Sequence, residues 1–417
     1  VEASLVFLPI NEAAFEDPRS SYVFDDAKSF FSYQRERFDL IVTEPSNPWV
    51  SGTAGLFTRE FYAQVSRFLT DRGVLTQWMQ LYELEDALFL SVLAALDGAF
   101  EAYRIYLVGD ADVVIVASPR GPLPEPDWSV ASTPEVRAFT AGVPEIRPAH
   151  MDALLMFDES VVRPLLTKGI AANSDFRPIL DLGAERARFD RAFAAGVFSF
   201  AASPFDLTRL LRRASRPPVP HTAVPARGPI SLVHSERGAW LRDAVRSGGA
   251  SPPEAFPEWR DALIHLQTFL VLSQGDTQLG SWETWGQGFS KAATELHWGI
   301  TGWVDPAFYR TVRGFVDRAN APAEAHAVVD LHEAVASFDW NGAANAADVL
   351  VEPVASGERW MQPATLLDVA VLAYLETGQA NAARAAFEAL APATARDPKH
   401  LRLRVLDALI EEAATRP

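Results

Sequence analysis

The run "FDLIVTE" (38–44) is followed by "LFTREFYAQVSRFL" (56–69) and "GVLTQWM" (73–79), and these segments decide the fold class. The first and third are continuously apolar rather than strictly alternating, as in strands covered on both faces of a sheet. The middle segment carries apolar residues at helical spacing: Phe57, Phe61, Val65 and Phe68. The order strand, helix, strand predicts a parallel sheet, with 38–44 as a central strand.

Further elements of secondary structure are predicted on both sides of this strand–helix–strand unit. Upstream, "SYVFDD" (21–26) is interpreted as a further strand, and downstream "LEDALFLSVLAAL" (84–96) is interpreted as a helix. Residues 102–108 and 113–118 are apolar runs joined by a loop too short for a crossover, which predicts an antiparallel hairpin. A parallel sheet finished by such a hairpin is typical of the α/β, Rossmann-like, class I methyltransferase type of fold.

The composition excludes several classes of function. The chain has 417 residues, 48% of them apolar, and a net charge of −17, which argues against nucleic acid as a partner. The absence of cysteine excludes thiolate chemistry and disulfides. The nearest histidines, His326 and His332, are not spaced as an i, i+4 metal pair, so no metal is expected. No apolar run is long enough for a membrane span, which predicts a soluble chain.

Three further regions follow the hairpin. Residues 119–212 are interpreted as an extension packed on the α/β domain, and 213–229 as a proline-rich linker between two independently folded units. Residues 230–417 are predicted to be α-helical and tetratricopeptide-like.

The repeat prediction rests on two imperfect copies of a helical hairpin. The clearer one, at 366–390, has Tyr374, Gly378, Ala383 and Phe387 at the expected spacing, and a weaker one at 338–350 places Ala346 like Ala383. An ordinary helical domain is the alternative. Four tryptophans could form a ligand platform or, as we expect, pack between helices: Trp282, Trp285, Trp298 and Trp303.

Polar side chains recur where the predicted strands end. Asp25 and Asp26 end the first, Glu44 ends the second with Asn47 just beyond, and Gln77 and Gln80 end the third. Ligands of open α/β sheets bind outside the carboxyl ends of the strands, so we expect these groups to converge on one cleft. Solvated strand ends and helix caps are the alternative for each residue taken alone.

Residues 1–118 resemble the polyamine aminopropyltransferases, or spermidine synthases. The resemblance is carried by "VEASLVFLP", "EDPRSSYVFDDAKSFF", "FDLIVTEPSNPW" and "GLFTREFYAQVSRFL". It is closest to bacterial spermidine-synthase-like domains that are often fused to membrane transporter segments. It implies transfer of an aminopropyl or related alkyl group to an amine from S-adenosylmethionine or its decarboxylated form.

The resemblance also implies roles for particular residues. Glu44 stands where the family keeps its catalytic base, an aspartate, and Asn47 where it keeps a second aspartate that binds the amine. Asp25, Asp26 and Ala27 would bind the nucleoside, with Asp26 accepting from the adenine amino group. The acceptor would be bound by Asn47 together with Gln77, Gln80 and Tyr82.

The family's Gly-rich nucleoside loop has no counterpart here, because Val1 falls after it in the family pattern. We therefore expect the chain to be part of a longer, cytoplasmic protein, with a membrane segment only if one precedes Val1. The alternative is that the half that binds the cofactor has been lost. The alternative function is a non-catalytic scaffold whose helical domain binds a protein partner.

Overall fold

The computed structural model describes residues 2–8, 11–139, 148–201, 207–212, 229–246, 257–272, 281–296, 306–394 and 400–415. Its N-terminal part contains a five-stranded mixed sheet with the order β1-β2-β4-β3-β5. The strands are β1 (Phe38–Thr43), β2 (Leu69–Gln80), β3 (Ala102–Leu107), β4 (Asp112–Ser118) and β5 (Leu155–Asp158).

The pairing of the strands confirms the predicted fold class. β1 pairs in parallel with β2, with Thr43 opposite Gln77. β3 and β4 form the predicted antiparallel hairpin, and β4 also pairs antiparallel with β2. The last strand, β5, comes from the extension and pairs antiparallel with β3. The extension thus adds a strand to the sheet of the preceding domain.

Two predictions about the start of the sheet are wrong. Residues 21–26 form no strand, because Tyr22, Val23 and Phe24 are exposed and pair with no neighbouring strand in the described chain. As a result β1 is an edge strand of the described sheet and not a central one. Its Leu40 and Val42 side chains are 55% and 63% exposed.

Helices pack on the sheet, and one of them, Asp86–Asp97, lies close to the predicted 84–96, whereas the helix predicted at 56–69 is α-helical only over Arg59–Val65. Thr58 interrupts the segment 56–69 because its backbone is extended and its hydroxyl caps the next helix through the Phe61 N–H. The helices are α1 (Glu12–Glu16), α2 (Ala27–Tyr33), α3 (Arg59–Val65) and α4 (Asp86–Asp97), with 3₁₀ turns at Glu2–Phe7, Thr53–Phe57 and Ser66–Phe68. Phe57, Phe61, Tyr62 and Val65 are buried and form part of the core.

Short helices make up most of the extension. Of these, α7 packs beside β5 and α8 packs on α4. They are α5 (Pro134–Phe139), α6 (Pro148–Leu154), α7 (Glu159–Leu166), α8 (Ile179–Phe189), α9 (Ala195–Phe198) and α10 (Leu207–Arg212), after a 3₁₀ turn at Trp128–Ser132.

The remainder of the described chain is helical, as predicted. The helices are α11 (Ile230–Arg246), α12 (Pro257–Leu272), α13 (Trp282–Leu296), α14 (Pro306–Arg318), α15 (Ala323–Ser337), α16 (Trp340–Ala355), α17 (Pro363–Glu376), α18 (Ala380–Thr394) and α19 (Leu401–Thr415). None of the helices in the described ranges is long and apolar enough to cross a membrane.

The helical pair α17–α18 coincides with the segment 366–390, interpreted as the clearer repeat. The weaker segment, 338–350, covers only part of α16 and the turn before it, and α16 packs on α15. Gly378 joins α17 to α18 with φ of +74°, a conformation that glycine adopts without steric cost. Ala346 and Ala383 are buried between the helices. These features are consistent with helical hairpins, and the tetratricopeptide assignment stays a prediction.

The tryptophans of α13 pack inside the helical region. Trp285 is buried and stacks on Phe289, while Trp282 packs against Trp285 and Phe315. Helix packing therefore accounts for these two side chains, and Trp298 and Trp303 lie outside the described residues.

The last helix of the helical region contacts the extension. Helix α19 packs on α7, and Lys168, just after α7, forms salt bridges with Asp407 and Glu411. The Pro-rich linker lies almost wholly outside the described residues, at 213–228. Whatever its conformation, the regions on either side of it share an interface.

Candidate active site

Glu44 follows β1 directly, at the carboxyl end of the strand. Its side chain is exposed and forms no hydrogen bond or salt bridge with any other described residue. It does not cap the helices that follow, because Gly52 and Thr58 occupy those positions. The carboxylate is therefore accessible and free to accept a proton.

Asn47 connects the loop after β1 to the loop after β2. Its Nδ2 lies 3.4 Å from the hydroxyl of Tyr82. Its backbone carbonyl accepts a hydrogen bond from Val50, which closes a turn containing Pro48. Proline at that position fixes φ and so limits the conformations of the turn. The structure thus brings together two of the predicted acceptor-binding residues.

Tyr82 is held in place by the extension. It forms an isolated antiparallel bridge with Phe193, and the N–H of Ala194 donates to the carbonyl of Leu81. Asp86 adds to this contact by accepting from the backbone N–H groups of Gly196 and Val197. Burial raises the pKa of Asp86, and these two hydrogen bonds act in the opposite direction.

Gln77 lies within β2 and not at an open cleft. Its side chain is fully buried, and its Oε1 accepts from the Tyr62 hydroxyl while its Nε2 donates to the carbonyl of Leu56. Burial also raises the pKa of Tyr62. Gln77 therefore does not share an accessible surface with Glu44, contrary to expectation.

Gln80, the last residue of β2, is also fully buried, but its side-chain amide differs from that of Gln77 in its hydrogen bonds. Neither its Nε2 nor its Oε1 has a hydrogen-bond partner within the described ranges. A buried amide without partners costs free energy, which a polar ligand atom would recover. Gln77 thus uses both polar atoms of its side chain and Gln80 uses neither, although both side chains are fully buried.

Asp25 and Asp26 precede α2 and are not at the end of a strand. Asp26 caps α2 by accepting from the N–H of Ser29 at 2.9 Å through its Oδ1. Asp25 accepts from the Tyr33 hydroxyl and from the N–H of Asp26. Asp26 Oδ2 has no partner in the described chain, so it is able to accept from an adenine amino group while Oδ1 still caps the helix that begins at Ala27. A free carboxylate oxygen of this kind suits the amino group of an adenine, which donates hydrogen bonds.

A segment of the extension, residues 173–177, lies beside these groups. Its first residue, Asn173, is fully buried and donates to the carbonyls of Ala54 and Phe57, while its Oδ1 accepts from the N–H of Leu180. Its backbone also bonds to Arg59 and Ser91. Asn173 therefore fixes the end of the loop that starts at Glu44.

The rest of the 173–177 segment contacts α2 and α3. Asp175 forms a 2.6 Å salt bridge with Lys28, and Glu60 accepts from the Ser174 hydroxyl and the Asp175 N–H. Partial burial of Glu60 acts to raise its pKa, but hydrogen bonds from Arg59, Asp175 and Ser174 lower it to about 2. Residues 173–177 carry no helical or strand periodicity in the sequence. The only hint was three short polar residues in succession before Phe176.

Among the described residues, no three His, Asp or Glu side chains are grouped so that they could hold a metal ion. The residues that remain candidates for the site are Glu44, the Asn47–Tyr82 pair, the amide of Gln80 and the carboxylate of Asp26.

Comparison with known proteins identifies the N-terminal part. Residues 1–109 match the model of the spermine/spermidine synthase domain. The chain is 35% identical over 106 residues to polyamine aminopropyltransferase 1 of Pseudomonas aeruginosa, which covers 24% of this chain and 35% of the relative. It is 32% identical over 111 residues to the polyamine aminopropyltransferase of Nitrosomonas europaea, covering 26% and 33%.

A third relative, from Thermoplasma volcanium, is 37% identical over 76 residues, which are 18% of this chain and 27% of that polyamine aminopropyltransferase. The chain therefore spans about a third of the length of the curated relatives it matches. The matched part contains β1, β2, Glu44, Asn47 and Asp26. Residues 1–109 are accordingly similar to the spermine/spermidine synthase family.

Proposed function

We propose that the α/β part acts in the transfer of an aminopropyl or related alkyl group from a sulfonium nucleoside to an amine. The observation that carries the proposal is Glu44, an exposed and unpaired carboxylate at the carboxyl end of β1 in a segment of this family. Ligands of open α/β sheets bind at that end of the strands.

Glu44 would serve as the base. An amine is protonated near neutral pH and becomes a nucleophile only when a proton is removed. The amine nitrogen then attacks the methylene carbon next to the sulfonium, a carbon–nitrogen bond forms, and the carbon–sulfur electrons return to sulfur. The thioether leaves uncharged, and the proton resides on the Glu44 carboxylate.

The other groups would hold the two substrates. Asp26 would accept from the adenine amino group through its free Oδ2, beside Asp25 and Ala27. Asn47 and Tyr82 would position the acceptor, and the buried amide of Gln80 would bond to a polar atom of either substrate. Gln77 would act indirectly, by fixing Tyr62 and Leu56 beneath the site. Such positioning is a large part of the rate enhancement of a two-substrate reaction.

The test is Glu44→Gln in the product of the complete gene, with alkylated amine measured by mass spectrometry. We expect turnover to fall by roughly 100-fold or more, the usual scale for a positioned base, with nucleoside binding and melting temperature unchanged. Glu36→Gln is the matched control, because Glu36 is an exposed glutamate near the opposite end of β1. If Glu44→Gln lowers the melting temperature and leaves turnover intact, Glu44 is not the base.

A further inference from the structure

Arg188, in the last turn of α8, places a cation beside the acceptor end of the candidate site. Its guanidinium carbon lies 5.4 Å from the centre of the Trp49 ring. Trp49 belongs to the same turn as Asn47. The Arg188 side chain is exposed and forms no salt bridge with any carboxylate in the described chain.

The fold connects Arg188 to Asn47 by two routes. Asn47 contacts Tyr82, and Tyr82 bridges to Phe193, which follows α8 closely in the chain. In addition, the Arg188 guanidinium lies over the ring of Trp49, which is partly buried. Stacking on an aromatic face limits the motion of the guanidinium, so less conformational entropy is lost when it binds an anion.

The charges here are opposite to those that a diamine requires. Carboxylates favour the binding of an ammonium group, but Asn47 is neutral and the charged group on Trp49 is positive. A guanidinium supported in this way is instead suited to a carboxylate, which it binds through two parallel hydrogen bonds.

We propose that the acceptor is an amine that also carries a carboxylate, such as an amino acid with a side-chain amine, and that Arg188 binds this carboxylate. The inference rests on the proposed function, because it takes the Asn47 end of the site as the acceptor end. Glu44 remains the base for the reacting amine, and Arg188 determines which acceptors are bound.

The experiment compares two amines that differ only in the carboxylate. The probes are 1,4-diaminobutane and 2,5-diaminopentanoate, and their binding to the product of the complete gene is measured calorimetrically with the nucleoside thioether present. We expect 2,5-diaminopentanoate to bind at least about tenfold more tightly. Arg188→Gln should remove this preference, Arg188→Lys should retain part of it, and Asn47→Asp should strengthen binding of the diamine.

Arg186→Gln is the control, because Arg186 is exposed in the same turn but does not lie on the Trp49 ring. It should leave the preference unchanged. Melting curves of all variants separate loss of binding from loss of fold. Equal binding of the two probes, a preference unaffected by Arg188→Gln in a folded variant, or binding of neither probe would overturn the inference.

The outcome also separates this inference from the proposed reaction. If 2,5-diaminopentanoate binds in an Arg188-dependent way but is never alkylated by the sulfonium nucleoside, the binding specificity stands and the proposed transfer is wrong. If 1,4-diaminobutane is alkylated efficiently and Arg188→Gln has no effect, the transfer stands and the specificity is wrong.

Discussion

Lys28 and Asp175, which are 147 positions apart in the chain, form a salt bridge of 2.6 Å. Lys28 directly follows the proposed nucleoside residues Asp26 and Ala27, and Asp175 belongs to the extension beyond the segment matched by the family model. The extension therefore contacts the rim of the candidate site, and residues outside the recognised family segment contribute to its geometry.

Asn173 is the strongest of these contributions, and its replacement by alanine should destabilise the fold. The change removes two donated hydrogen bonds and one accepted bond from a fully buried position. It leaves the carbonyl of Phe57 and the N–H of Leu180 without these partners, at a cost of about 1–3 kcal/mol. Urea unfolding measures the free energy of unfolding.

Asn341→Ala is the matched control for this change, since Asn341 is exposed in α16 and no side-chain hydrogen bond is seen for it in the described chain. Its effect should stay within about 0.5 kcal/mol, as for surface substitutions in general. Equal unfolding free energies for the two variants would contradict the role assigned to Asn173.

Glu60 should make stability depend on pH in the acid range. Its folded-state pKa, about 2, is below its ordinary value of 4.5, so the unfolded chain binds its proton more tightly. The stabilisation is fully present above about pH 4.5 and is lost as the pH falls toward 2. Glu60→Gln should therefore be less stable than the wild type near pH 6, and the difference should shrink between these values. Unfolding curves at a series of pH values test this, and a constant difference would contradict it.

The sequence was sufficient for those parts of the fold that depend on local patterns. The apolar runs of β1, β2 and the hairpin each identify a strand, and the fold class follows from their order. The run at 21–26 has the same local pattern, but an apolar run becomes a strand only where a neighbouring strand can accept its hydrogen bonds. Because Tyr22 to Phe24 have no such neighbour in the described structure, the local pattern was misleading.

The sequence predicts residues of the candidate site but not their interactions in the structure. Glu44 and Asn47 were found because a carboxylate and an amide follow a strand, and Tyr82 was found through the family resemblance. Burial of Gln77 could not be foreseen, since it depends on Tyr62 of a different element. The contacts of Asn173 with Ala54 and Phe57, and of Arg188 with Trp49, join residues more than a hundred positions apart, and no sequence periodicity indicates such contacts.

The interface between α7 and α19 should survive a break in the linker. We predict that a protease cuts within residues 213–228, where five prolines between 215 and 229 disfavour helix and strand. The two pieces should then co-elute on size exclusion, because α7 packs on α19 and Lys168 forms salt bridges with both Asp407 and Glu411.

Lys168→Glu places a third carboxylate beside Asp407 and Glu411 and should weaken the association of the two proteolytic fragments. Lys291→Glu is a control of the same charge change at an exposed position of α13. Separation of the wild-type pieces immediately after cleavage would show that the interface does not hold the two regions together.

The same interface has a consequence for synthesis of the protein. The partner of Lys168 in α19 is 239 positions later in the chain. At the usual rate of about 5–20 residues per second, the ribosome needs roughly 10 to 50 seconds to make that intervening length. During this interval the surface of α7 that α19 will cover is exposed in the nascent chain. The extension is therefore the part of this protein for which a chaperone would be most useful before translation reaches α19.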